Sequence, residues 1–336
     1  MSVTPKPVRM GILSFAHMHT YSYANCILSN PACDLVGVAD ADMNRAEKLA
    51  SQLGCSAYRS YEELLDVPTL DAVVIGSENV HHKQLTELAA SAGKHILCEK
   101  PLATSIQDAE FMIETCKSNG VQLMTAFPCR FSPVMKRLKQ MIDSGKSGRI
   151  LAFRGTNRGS NPGGWFCNPP LSGGGATIDH TVHVTDLMRW LLKEDVSEVY
   201  AEISNGIQHQ DFDDVSFISM TFPSGVFATL DASWSRPMAF PTWGDVTLEV
   251  ITDRGTISMD MFSQNLVQYS NRSHNISWYN WGGNMDYGLI DSFVNSLAMG
   301  KQVEVSGLDG LKATEVALCA YQSSQTCTPI KIRSQA

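Results

Sequence analysis

The feature that most constrains this chain is an alternation over residues 8–125. Short apolar runs at 8–13, 35–39, 72–76, 95–98 and 122–125 are separated by stretches with helical apolar spacing at 21–29, 44–53, 81–92 and 106–118. A run such as Ala72-Val73-Val74-Ile75 has no polar side, as expected of a parallel strand buried on both faces. Strands alternating with helices build βαβ units, and right-handed crossovers assemble these into a doubly wound parallel sheet. Ligands of such sheets sit at the carboxyl ends of the strands. The pattern predicts a dinucleotide-type domain over residues 1–127. Beyond residue 196 the pattern turns to period two, with strands predicted at 199–203, 215–222, 226–234, 246–251, 256–259 and 266–269, and helices near 287–299 and 308–324. Residues 128–336 are therefore expected to form an α/β domain with a large, mostly antiparallel sheet and one helical face.

Charge and thiol usage exclude several classes. The net charge is −8 with no basic stripe, so nucleic acid is not an expected partner. No apolar run is long enough for a bilayer, and residues 1–7 lack an apolar signal core, so no membrane is expected. Nine scattered cysteines include no CxxC pair, a pattern of reduced thiols in a cytoplasm.

The strand ends carry the candidate cofactor residues. Asp40 follows the second strand, where such sheets place a carboxylate for the adenosine ribose. It is followed by Ala41 and Asp42 rather than by a basic residue, which favours NAD over NADP. The turn after the first strand, Ser14-Phe15-Ala16-His17, has Ser14, Ala16 and His19 where a dinucleotide fingerprint has three glycines. Ser14 and Ala16 are small enough for a pyrophosphate to approach a helix N-terminus, although neither takes positive φ as readily as glycine. His17 and His19 alone are a poor metal signal without an assembled third ligand, and no metal is expected. Ser77, Asn79 and His82 follow the third strand and can line the same crevice. Glu99-Lys100-Pro101 closes the fourth strand. Proline fixes that turn, and a lysine pinned there can stabilise an alkoxide.

A second constellation is Gly173-Gly174-Gly175 followed by Asp179 and His183 on a predicted buried helix. Residues four apart share a helix face, and a carboxylate with an imidazole can hold a hydroxyl and take its proton. Histidine titrates near neutrality without help, whereas lysine needs a lowered pKa to act as a base. The proton is therefore assigned to His183 and the developing negative charge to Lys100. The predicted loop 155–172 contains Trp165, which can stack on a sugar face, and Arg130, Asn157 and Arg158 can bond hydroxyls or a carboxylate.

Glu99-Lys100-Pro101 together with Gly173–Gly175, Asp179 and His183 resembles the glucose–fructose oxidoreductase, inositol dehydrogenase and rhizopine-catabolism family, with similarity over nearly the whole chain. The resemblance implies a Rossmann domain followed by an α/β domain with a large open sheet, through which homodimers or homotetramers form. It also implies NAD- or NADP-dependent oxidoreduction of sugar and polyol hydroxyls, with Lys100, Asp179 and His183 as the catalytic set and Arg130 matching a frequent arginine. Two departures are the glycine-poor first turn and Glu78, where the family often has proline. Two rival readings are a redox-neutral glycosidase that oxidises, eliminates and returns the hydride, and a non-enzymatic sugar or NAD sensor.

Overall fold

The computed structural model describes residues 6–263, 265–272, 275–280 and 282–332. It divides into two compact units, Met1–Pro128 with Asn284–Leu311, and Cys129–Gly283 with Lys312–Ala336.

The first unit holds strands β1 (Val8–Leu13), β2 (Cys33–Ala39), β3 (Ser56–Tyr58), β4 (Ala72–Ile75), β5 (His95–Cys98) and β6 (Leu123–Thr125) in one sheet, ordered β3-β2-β1-β4-β5-β6. All its pairings are parallel. The order reverses beside β1, so the crevice opens at the ends of β1 and β4. Every side chain of β4 is buried, which is why it reads as an unbroken apolar run. Helices α1 (His19–Ser29), α2 (Met43–Leu53), α3 (Tyr61–Leu65), α4 (His82–Ser91) and α5 (Ile106–Ser118) link the strands. Local chemistry sets their ends. Asp42 caps α2 by accepting the Asn44 and Arg45 N–H groups, and Gly54 stops it in the left-handed conformation.

The second unit holds helices α6 (Pro133–Asp143), α7 (Pro169–Ser172) and α8 (Ala176–Leu192). Its larger sheet contains β7 (Ile150–Thr156), β8 (Glu198–Ser204), β9 (Val215–Thr221), β10 (Phe227–Asp231), β11 (Thr247–Thr252), β12 (Gly255–Asp260) and, as its last strand, Ile330–Lys331, here β15. The order is β12-β11-β7-β10-β9-β8-β15. Only the β7–β10 pair is parallel among the described pairings of this sheet. Strands β13 (Asn265–Ser270) and β14 (Asn275–Asn280) form a separate hairpin. Helix α8 packs on β7 and β9. Phe217 and Phe227, on strands whose alternate residues are buried, remain exposed.

The expected continuous domain 128–336 needs one correction. Helix α9 (Met285–Ala298) and the start of α10 (Gly307–Thr326) group with the first unit. Helix α9 packs on α1, and Leu311 at the start of α10 joins the core that holds Leu102 and Leu123. Ser22 Oγ donates to Asp286 at 2.5 Å, and the Asn30 amide donates to Asp291 at 3.1 Å.

Candidate active site

In the first unit the chain leaves β1 through Ser14, which sits at φ 72°, the left-handed region glycine favours. The serine thus makes the turn that the first fingerprint glycine makes elsewhere. The amides that follow are already engaged. Phe15 N–H donates to Asp40 Oδ2 at 2.7 Å, Ala16 N–H to Ser14 Oγ at 3.2 Å, His17 N–H to the Gly76 carbonyl at 2.9 Å and His19 N–H to His17 Nδ1 at 3.2 Å. A pyrophosphate on this turn has to displace Ser14 Oγ or His17 Nδ1 to gain their amides.

Glu99 is the third group that the His17–His19 spacing could not supply. Its Oε1 lies 3.1 Å from His19 Nδ1 and 3.8 Å from His17 Nδ1, and its Oε2 accepts the Lys100 N–H at 2.9 Å. Candidate ligand atoms on the three side chains all lie within 4.8 Å of one another, but the hydrogen bonds just described already engage them. Burial pushes the Glu99 carboxyl upward. The adjacent His17, His19 and Lys100 outweigh it and hold the group well below the usual range.

His82, expected at the cofactor, lies fully buried under the next turn. Its Nδ1 is 3.0 Å from the Pro101 carbonyl and 3.3 Å from that of Leu102. Nδ1 can only donate there, so the ring is a prop for the Lys100–Leu102 turn. Burial pushes its pKa down. Lys100 itself is buried above this prop, and its peptide to Pro101 is cis. Ser77 and Asn79 are buried at the end of β4, with Ser77 Oγ donating to the Glu78 carbonyl. Asp40 is bound by a residue absent from the expected site, Arg45. Its Nε and Nη2 donate to the two carboxylate oxygens at 2.8 and 2.6 Å. The premise that no basic group neighbours Asp40 held only for the adjacent residues.

In the second unit α8 presents Asp179 and His183 one turn apart, both buried. Trp234 Nε1 donates to Asp179 Oδ2 at 3.2 Å, and His180 Nε2 stands at the same distance from that oxygen. The Cys129 thiol is 4.0 Å from His183 Nδ1. The helix is aimed by Asp213, which accepts the Gly175 and Thr177 N–H groups at 2.8 and 2.7 Å and the Tyr321 hydroxyl at 2.7 Å. Burial, then the Asp213 charge, raise the Tyr321 pKa well above its ordinary value. A Cβ on Gly175 would lie 2.0 Å from the Asp213 carbonyl oxygen, and one on Gly174 would lie 2.1 Å from the Tyr321 hydroxyl. These two glycines therefore admit protein groups rather than a ligand.

Three expected substrate contacts have protein partners. Arg130 closes a buried two-pronged ion pair on Asp186, at 2.6 and 2.5 Å, and so anchors α8 one turn beyond His183. Trp165 stacks on Phe166 with ring centroids 3.9 Å apart and packs on a cluster of Phe166, Phe212 and Trp234, which fixes its loop. Arg158 pairs with Asp245 at 2.9 Å.

Residues 9–127 match the model of an oxidoreductase family with an NAD-binding Rossmann fold, and residues 135–258 match the C-terminal domain model of the same group, GFO/IDH/MocA. The chain belongs to the Gfo/Idh/MocA oxidoreductases. It pairs a parallel six-stranded sheet with a second, mostly antiparallel one. It is 27% identical to a myo-inositol 2-dehydrogenase of Thermotoga maritima, over 97% of this chain and 98% of the relative. It is 30% identical to a Bacillus subtilis scyllo-inositol 2-dehydrogenase (NAD(+)), over 74% of this chain and 73% of the relative. A solved structure of a putative myo-inositol dehydrogenase from Sinorhizobium meliloti superposes with a TM-score of 0.84 at 26% identity, covering 97% of this chain and all of the other. The residues that sequence reading missed in this Gfo/Idh/MocA chain are Arg45, Asp213, Tyr321 and Trp234. Tyr321 and Gly175 are 146 residues apart, and no local pattern pairs them.

Proposed function

We propose that this chain oxidises a hydroxyl of a sugar, cyclitol or sugar derivative with NAD, in the cytoplasm. The observation that carries the reading is Asp179 and His183 on one anchored helix, in a chain whose relatives include two inositol 2-dehydrogenases. The Ser14 turn, the α1 N-terminus, Asp40 and the strand-end residues Ser77, Asn79 and Glu99 fit a dinucleotide, which would supply the hydride acceptor. The Phe15 and His17 amides hold the turn to Asp40 and Gly76, and His82 supports the turn that carries Lys100. His183 takes the hydroxyl proton, Lys100 faces the negative charge left on oxygen, and Asp179 orients the hydroxyls. Arg130 holds α8 in register for this work, and Trp165 bounds the sugar from its anchored loop. The uncovered sheet face bearing Phe217 and Phe227 supports assembly with further copies of the chain. No helix among the described residues is long and apolar enough to cross a membrane.

A panel of sugars and cyclitols assayed for NADH absorbance tests the reading. Net NADH with at least one of them is expected. Turnover of a glycoside without net NADH supports the redox-neutral alternative, and NADH binding with no turnover on any member supports the sensor.

A further inference from the structure

The Asp40 carboxylate is full. Oδ2 accepts from Phe15 N–H at 2.7 Å and Arg45 Nε at 2.8 Å, and Oδ1 accepts from Asp42 N–H at 2.9 Å and Arg45 Nη2 at 2.6 Å. A carboxylate offers about four lone-pair sites, so ribose hydroxyls reach Asp40 only where a present donor leaves. Two of the four donors are backbone amides fixed by the Ser14 turn and the start of α2. The movable pair belongs to Arg45, whose side chain is 31% exposed while that of Asp40 is wholly buried. Arg45 stands on the first turn of α2, so its guanidinium remains at the ribose end of the crevice after it lets go. A planar guanidinium with five donors is the side chain best matched to a phosphate. While it stays on Asp40 it also cancels the charge that would repel a 2′-phosphate. The remaining charges here are Asp42 and Glu78, which with Asp40 raise the Arg45 pKa. They keep the local field negative, so the expected outcome is tolerance of a phosphate rather than a preference for it.

We propose that Arg45 makes the adenosine-ribose subsite accept both cofactors, releasing Asp40 to the hydroxyls of NAD(H) or turning its guanidinium to the 2′-phosphate of NADP(H). The proposal rests on the NAD-binding reading and deepens it. Fluorescence titrations with NADH and NADPH on the full chain test it, using wild type, Arg45→Gln and Arg45→Lys, with melting curves to confirm folding. Wild-type NADPH is expected within about tenfold of NADH. Arg45→Gln is expected to weaken NADPH by about 10–100-fold, the worth of charge-assisted hydrogen bonds, while NADH, whose ribose no longer competes with a guanidinium for Asp40, binds more tightly. Arg45→Lys, which keeps the charge without the fork, is expected to fall between the two. A wild-type ratio above about tenfold overturns the proposal, as does an equal change of both affinities in either variant. Failure of wild type to bind either nucleotide overturns the NAD-binding reading and this proposal with it, whereas tight NADH binding with poor NADPH binding overturns this proposal alone.

Discussion

Two turns feed the two helices that matter here, and they differ in composition and in use. The turn at residues 14–18 has no glycine, yet Ser14 takes a left-handed backbone and the turn lies at the sheet's ligand crevice. The turn at residues 173–175 is all glycine, yet the space beside Gly174 and Gly175 and the Gly175 amide go to Asp213 and Tyr321. Glycine content therefore does not tell which turn admits a ligand. What decides it is which donors the protein has already engaged, and with how movable a partner. A hydroxyl or an imidazole can step aside for a phosphate, whereas a backbone carbonyl 2.0 Å from a would-be methyl cannot.

The comparison is broken most severely at the helix the glycine turn aims. His183→Ala is expected to lower kcat by about 10²–10⁴-fold, the usual worth of a general base, with NADH affinity nearly unchanged. The loss is expected to shrink as pH rises, because hydroxide replaces a base. Lys100→Ala is expected to lose kcat without that relief. pH–rate profiles on one accepted sugar check both. Rescue of Lys100→Ala alone reverses the roles, and full activity in both variants removes the site from these residues.

Next in size is Gly175→Ala. Its methyl meets the Asp213 carbonyl, so a loss of about 1–3 kcal/mol is expected in urea unfolding, with a fall in kcat as α8 shifts. A variant as stable as wild type would mean that the glycine turn has slack, and the contrast drawn above would collapse.

Ser14→Gly sharpens the comparison from the other side. Relief of left-handed strain, about 1 kcal/mol, offsets loss of the Oγ bond, and the Ala16 amide is freed. NADH is expected to bind about 3–10-fold tighter, the worth of one released donor. Unchanged affinity in isothermal titration would show that the pyrophosphate does not use this turn.

The smallest effect concerns His82, a donor engaged entirely inside the fold. Burial holds its folded pKa below the ordinary 6.5, so the unfolded chain takes up the proton first. Its contribution to stability is complete above pH 6.5 and is lost as pH falls from there toward the folded value. His82→Gln keeps a donor for the Pro101 carbonyl and is expected to flatten the stability profile between pH 7 and 5. Parallel slopes for wild type and variant in urea unfolding would assign the acid sensitivity elsewhere.

The sequence made the parallel sheet legible because strands buried on both faces read as apolar runs. His95–Cys98 and Ile106–Ser118 begin and end where the pattern says. Ser56–Tyr58 was invisible, being a three-residue edge strand with an exposed first residue. Helix α6 was missed although Pro133 sits at its first position, a common helix start. The candidate site was legible as residue types and less so as roles. Asp40 follows β2, Glu99 and Lys100 follow β5, and Asp179 and His183 lie one turn apart on α8. The partners of Arg130 and His82, a carboxylate on α8 and the carbonyls of the Lys100–Leu102 turn, were not legible, because tertiary packing sets which group each side chain meets. Arg45 lay only five residues from Asp40, but its reach depends on the first turn of α2 bringing it back over the strand end.

The return of α9 to the first unit gives the chain a timetable. Ser22 gives its hydrogen bond to a carboxylate 264 residues further along. At about 5–20 residues added per second, a ribosome delivers Asp286 roughly 13–50 seconds after Ser22. Throughout that interval the nascent sheet has α1 in place and nothing to lay across it. A gene fragment stopping at residue 128 would leave the growing protein permanently in that waiting state. Such a fragment lacks the Asp286 and Asp291 partners of Ser22 and Asn30.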